Sequence, residues 1–343
     1  MTERDVSLEK KGLLTYVIIF IVILILGLTL LALGYNEAFY SSSSTMQTIF
    51  KMITNLGEPI VFIVLVAIFY IIYDKKFAKN LALSLLITTY INEFAKGIFK
   101  DPRPATNTSP DKITPENPSG LIETSYGFPS GHTQSAVGTW GYIAIKFKDK
   151  PKPLIWPIIL SIVIFLVGIS RMVIGVHDLQ DVVGGSLIGM VVLFLFIYIE
   201  PIATEKFNSF NLIVKLIIVT IVSIGLFLLG ILLFPTSGTD LLPTPQPFTD
   251  TGGFAQVGGV FLGLGFGYML EYENIKYQPS EMSKKQKIIN LIIGLVLIFI
   301  IYILLDLPAD LINSVFYRFA RYALIAFILT YILPWIFVKI WKK

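Results

Sequence analysis

Apolar runs of about 20 residues, each long enough to cross a hydrocarbon core, recur along this chain from Leu13 to Phe337. In lipid every backbone polar group must find its partner within the protein, so repeated runs of this kind fold as helices. The pattern predicts ten transmembrane helices, at 13–33, 58–73, 80–99, 132–147, 153–175, 178–200, 212–234, 254–271, 288–305 and 319–337. The expected fold is therefore all-α, a polytopic integral membrane bundle. The first run follows Arg4, Lys10 and Lys11, as a signal peptide would, but it is long and leads into Gly34-Tyr35-Asn36 without a small-residue cleavage pattern. It reads as a retained helix.

Composition narrows the function classes. With 55% hydrophobic and 15% charged residues the chain is neither a soluble domain nor disordered. A net charge of +4 is too small to suggest a nucleic-acid partner. There is no cysteine, which excludes a thiolate nucleophile and a Cys-ligated metal. Chemistry must come from His, Ser, Lys, Arg and carboxylates. Ten crossings put both termini on one side, and that side holds 19 of the 27 Lys and Arg residues. By the positive-inside rule the termini are expected in the cytoplasm of a cell-membrane protein, with the opposite loops outside.

Several features read as packing or connection. Gly259, Gly263 and Gly267 recur every fourth residue, and Gly185 with Gly189 follows the same spacing, which lets helices approach closely. Pro235 to Gly253 is turn-rich and reads as a surface loop, and Met46 to Asn55 as a short, weakly amphipathic segment without a function.

The candidate chemistry lies in three clusters, all on the outer side of the ten-helix topology. Lys96 precedes Arg103-Pro104 by seven residues, Pro129-Ser130-Gly131-His132 follows, and Ser170-Arg171 precedes His177 and Asp181. Lys96, Arg103 and Arg171 are cations near membrane ends, where an unpaired charge is costly and an anion is the natural partner. The planar fork of Arg suits phosphate oxygens, with Lys as a point charge. Ser130-Gly131 before a helix adds a close backbone approach, N–H groups and the positive end of a helix dipole.

His177 and Asp181 are spaced i, i+4, so on a helix they share a face, and a carboxylate on one ring nitrogen leaves the other free to attack. His132 remains as the proton donor for the leaving group. Glu93, one turn before Lys96, reads as its charge balance, and Asp178 as a weaker partner for His177 than Asp181.

In order and together, these three clusters resemble the signature motifs of the type-2 phosphatidic acid phosphatase superfamily, which includes lipid phosphate phosphatases, undecaprenyl pyrophosphate phosphatases and the vanadium haloperoxidases. The resemblance covers about residues 60–200 and implies a six-helix phosphatase core with a metal-independent phosphohistidine mechanism and no cofactor. It implies that Lys96, Arg103, Ser130, Gly131 and Arg171 hold phosphate, that His132 is the acid, and that His177 is the nucleophile oriented by Asp181. Residues 1–200 then form the core and 201–343 a four-helix transmembrane extension. The expected substrate is an amphiphilic lipid phosphate or polyprenyl diphosphate at the outer leaflet. A lipid-to-lipid phosphotransferase would use the same residues. A vanadate-dependent oxidase is possible within the superfamily, and from a different class the chain could be a transporter or a non-catalytic lipid-binding protein. A transporter would more usually show internal repeats and charge near the bilayer midplane.

Overall fold

The structure is a computed structural model, and it describes residues 3–37, 39–106, 125–147, 154–234, 251–308, 312 and 314–341. Its regular structure is helical. Helix α1 (Glu3–Ala32) precedes α2 (Ser44–Thr54), α3 (Pro59–Tyr73), α4 (Lys75–Phe99), α5 (Gly131–Lys146), α6 (Ile155–Val173) and α7 (Leu179–Asn208). Beyond these lie α8 (Leu212–Leu233), α9 (Thr251–Asn274), α10 (Lys284–Asp306) and α11 (Val315–Trp341).

Every predicted span falls on a helix. Among the described residues, α1, α6, α7, α8, α9, α10 and α11 are long and apolar enough to cross a membrane, and α2 with α3, bent by 47°, makes an eighth candidate. Helices α4 and α5 fall outside that set for a physical reason. Along α4 a polar residue recurs every fourth position, at Asn80, Ser84, Thr88, Asn92 and Lys96, and all five are buried. A helix stripe that faces protein instead of lipid can be polar. Helix α5 has only 16 residues and carries buried Thr133, Gln134 and Thr139.

The described residues of Met1–Val61 and Ile87–Ile197 form one compact unit, and those of Phe62–Leu86, Tyr198–Pro235 and Asp250–Lys343 form another. In the first, Gly185 on α7 lies against the backbone at Ser130, where a Cβ would come 2.7 Å from the Ser130 carbonyl oxygen. In the second, a Cβ at Gly259 or Gly263 would collide with the backbone of α11 at Phe319 or Ala323, and one at Gly267 with the Thr330 hydroxyl. The glycine repeats are close-packing faces, as the spacing implies. The second unit also buries an ion pair, Lys75 Nζ donating to both oxygens of Glu271 at 2.7 and 2.8 Å.

One segment departs from its sequence reading. Residues 44–54 form helix α2, with Gln47 and Thr54 buried and Met46, Ile49 and Met52 exposed, so the two faces are sharply distinct. The buried face also carries site contacts, described below. Residues 235–250 of the expected surface loop lie outside the described residues.

Candidate active site

All eight candidate residues lie in the first unit, and the chain brings them together from six places. Lys96 stands in the last turn of α4, Arg103 follows that helix, and Ser130 caps the start of α5, where Gly131 and His132 begin the helix. Arg171 ends α6, His177 sits in the α6–α7 turn, and Asp181 is in the first turn of α7.

The expectation that His177 and Asp181 share a helix is corrected here. Gly175, at φ +80°, turns the chain after α6, and α7 starts only at Leu179, so His177 precedes the helix. A positive φ of this size is readily reached only by glycine. The His177 amide donates to the Arg171 carbonyl at 3.2 Å, which fixes the turn. The pair still meets, with His177 Nδ1 2.7 Å from Asp181 Oδ2 and both residues buried. Asp178 is directed elsewhere, as expected: it accepts from Asn36 Nδ2 at 3.0 Å and from the Asp181 amide at 3.1 Å.

Arg103 closes the other side of His177. Its Nη1 is 2.8 Å from His177 Nε2 and 2.8 Å from the Val176 carbonyl oxygen, and its Nε donates to the Ser125 carbonyl at 2.7 Å. A guanidinium only donates, so Nε2 is the acceptor and Nδ1 carries the proton toward Asp181. The Ser125 hydroxyl accepts from Arg103 Nη2 at 3.1 Å and from Lys96 Nζ at 2.7 Å, drawing the two cations together. Burial pushes the His177 imidazole well below its ordinary value, and the charges of Arg103, Arg171, Lys96 and His132 push the same way. His177 is therefore held neutral with a lone pair facing positive charge.

The start of α5 is tightly built. The Ser130 hydroxyl lies 3.0 Å from that of Thr133, and the Ser130 amide donates to the Asp181 carbonyl at 3.0 Å. A Cβ on Gly131 would come 3.0 Å from Asn92 Oδ1, so glycine is what admits Asn92 this close to the helix start, with Lys96 Nζ in ordinary contact range at 3.9 Å. Asn92 Nδ2 holds the Pro129 carbonyl at 3.1 Å and Gln134 Oε1 at 2.8 Å. Arg171, 1% exposed, donates from Nη1 to the Thr54 hydroxyl at 3.0 Å. His132 Nε2 lies 3.1 Å from Glu58 Oε1. The result is three cations gathered around His177 beside a helix start, with two histidines that each touch a carboxylate.

Residues 77–205 match the PAP2 superfamily, and residues 255–342 match the PAP2 superfamily phosphatase transmembrane extension. The chain belongs to the PAP2 superfamily. Among curated proteins, this PAP2 chain is 35% identical over 91 residues to phosphatidylglycerophosphatase B of Bacillus subtilis, covering 25% of the chain and 44% of that protein. It is 27% identical to sphingosine-1-phosphate phosphatase 2 of Homo sapiens, covering 45% of the chain and 38% of that protein. It is 29% identical to undecaprenyl-diphosphatase of Sulfolobus acidocaldarius, covering 51% of the chain and 82% of that protein. The matches thus span less than half the length of the first two relatives.

Four residues of this PAP2 site were missed by sequence reasoning. Asn92 had a signal, since it stands one turn before Lys96 on the period-four polar stripe of α4. Thr54, Glu58 and Ser125 had none. They reach the site from segments whose local sequence shows no chemistry, and Glu58 is 74 residues from the histidine it contacts.

Proposed function

We propose that this chain is a membrane-embedded phosphatase that removes the terminal phosphate of a lipid phosphate or polyprenyl diphosphate, through a phosphohistidine on His177. The single observation that carries this reading is the setting of His177: Nδ1 stands 2.7 Å from Asp181 Oδ2, and Nε2 stands 2.8 Å from Arg103 Nη1, a donor that leaves Nε2 as the acceptor. A neutral imidazole with its lone pair in a cationic pocket is a prepared nucleophile for phosphorus.

In the first step Nε2 forms a bond to phosphorus as the bond to the leaving oxygen breaks, and His132 supplies a proton to that oxygen. Asp181 stabilises the positive charge that develops on the His177 ring. Lys96, Arg103, Arg171 and the Ser130-Gly131 helix start hold the equatorial oxygens as their charge grows. In the second step water attacks phosphorus, gives its proton to His132, and releases inorganic phosphate with neutral His177. The cations carry the phosphate charge, so in this reading no metal takes part.

The reading places the site on the extracytoplasmic face, with both termini in the cytoplasm, and the skewed distribution of Lys and Arg supports it. The names of the relatives favour substrates that join a phosphate to a membrane anchor. The test is phosphate release by the purified full chain in detergent, on a panel of phosphatidic acid, phosphatidylglycerol phosphate, sphingosine-1-phosphate, undecaprenyl diphosphate and soluble glycerol phosphate. Release from at least one lipid in excess of glycerol phosphate is expected. Release from none of them counts against a phosphatase, and loss of lipid phosphate matched by a new phosphorylated lipid would make it a transferase.

A further inference from the structure

The α2–α3 turn does more than connect two helices. Within five residues it supplies Thr54 to Arg171, the Leu56 carbonyl to Trp140 Nε1 at 3.0 Å, and Glu58 to His132. Gly57 brings the turn against the imidazole: a Cβ there would stand 3.2 Å from both Cβ and Cδ2 of His132 and 2.9 Å from Val167 Cγ1. The Cδ2–Nε2 edge of the ring therefore lies along the turn, with Glu58 Oε1 on Nε2 at 3.1 Å. Nδ1 is on the other edge.

We propose that Glu58 is a positioning residue for His132: its carboxylate accepts the Nε2 proton and leaves Nδ1 as the atom that passes a proton to the leaving oxygen. The two histidines are then set up as mirror images. His177 keeps its proton on Nδ1 for Asp181 and attacks through Nε2, whereas His132 keeps its proton on Nε2 for Glu58 and works through Nδ1. The charges His132 shares a site with explain why such a partner is useful. Lys96 on α4, Arg171 on α6 and Arg103 on the connection after α4 act together with His132 on His177, while Lys51 on α2 is exposed and Asp181 is committed to His177. Cations oppose the doubly protonated imidazole that a general acid must be, and a carboxylate on its far nitrogen offsets them. When the leaving oxygen takes the Nδ1 proton, His132 becomes neutral with Nε2–H still on Glu58. It regains a proton on Nδ1 from the attacking water.

This inference rests on the phosphatase reading for its catalytic consequence, but its geometry can be tested separately. The chain has two histidines, so ¹⁵N-histidine labelling of the full protein in detergent gives two imidazoles to assign, with His132→Gln as the reference. At high pH the native protein is expected to show one Nδ1–H ring, His177, and one Nε2–H ring, His132. Glu58→Ala is expected to release His132 into a tautomer mixture. Glu58→Gln keeps an acceptor and is expected to retain Nε2–H, while the alkaline limb of its kcat/KM profile moves down by about one pH unit. An Nδ1–H tautomer for native His132, or a Glu58→Gln profile merely scaled down at every pH, would overturn the proposal. If Glu58→Ala does not remain monodisperse, the native spectrum and Glu58→Gln still decide. Absence of phosphate release from every lipid by the native protein would sink the phosphatase reading while leaving the tautomer result standing.

Discussion

Arg103 Nη1 lies 2.8 Å from His177 Nε2, on the lone pair that the proposed reaction uses to attack phosphorus. An arriving phosphate offers the guanidinium a better partner, so substrate binding itself uncovers the nucleophile. The same contact controls protonation. His177 is held well below 6.5 by burial and then by Arg103, Arg171, Lys96 and His132. The acid limb of kcat/KM is therefore expected below 6.5, and Arg103→Met is expected to raise it while lowering activity at every pH. For stability the sign is as follows. The unfolded chain protonates His177 near its ordinary value of about 6.5 while the folded chain does not, so this group destabilises the fold as pH falls below that point. An acid limb that stays in place in Arg103→Met would contradict the assignment.

The two histidines divide the work, and trapping separates them. Rapid-quench labelling with an activated phosphate ester is expected to give a phosphoenzyme in the native protein and in His132→Ala, because a good leaving group needs no proton. His177→Ala is expected to give none. With a lipid substrate His132→Ala should lose about 10²–10⁴-fold in turnover, the usual contribution of a general acid. Label that persists in His177→Ala would move the nucleophile elsewhere.

If the cations alone carry the phosphate charge, activity survives chelation. EDTA is expected to leave turnover unchanged, and vanadate to inhibit competitively by occupying the pocket as a five-coordinate mimic. Lys96→Ala should weaken vanadate and substrate together. Activity lost in EDTA and restored by a divalent cation would require a different mechanism.

Sidedness is accessible because the native chain has no cysteine. Ser42, exposed before α2, and Ser283, exposed at the N-cap of α10, belong to connections expected on opposite faces of the membrane. In intact cells an impermeant maleimide should label Ser42→Cys and spare Ser283→Cys. The reverse pattern would put the site at the cytoplasmic leaflet.

The Lys75–Glu271 pair tests the second unit. Glu271 is fully buried and also accepts from the Tyr277 amide at 2.6 Å. Removing one partner strands a buried charge, so Lys75→Met is expected to cost about 3–5 kcal/mol in denaturant unfolding. Lys75→Met with Glu271→Leu should recover much of that loss. Equal stability of the single and native proteins would show that the pair is not desolvated.

The helices and the chemistry were written locally. Apolar length marks a span, Ser130-Gly131 marks a helix start, and glycines at every fourth residue mark a packing face, because each property acts over one or two helical turns. For the same reason the eight candidate site residues could be named from three short clusters. What joins those clusters was not legible. Ser125 gathers Lys96 and Arg103, Thr54 holds Arg171, and Glu58 holds His132, each from a segment with no periodic or motif signal of its own. The polar stripe of α4 hides its helix from a hydropathy count for a related reason, since whether a face meets lipid or protein depends on its neighbours. Sequence alone marked the residues that carry the candidate chemistry. Only the tertiary structure decided which partner stands on each histidine nitrogen, because that is set across space and not by the residues alongside.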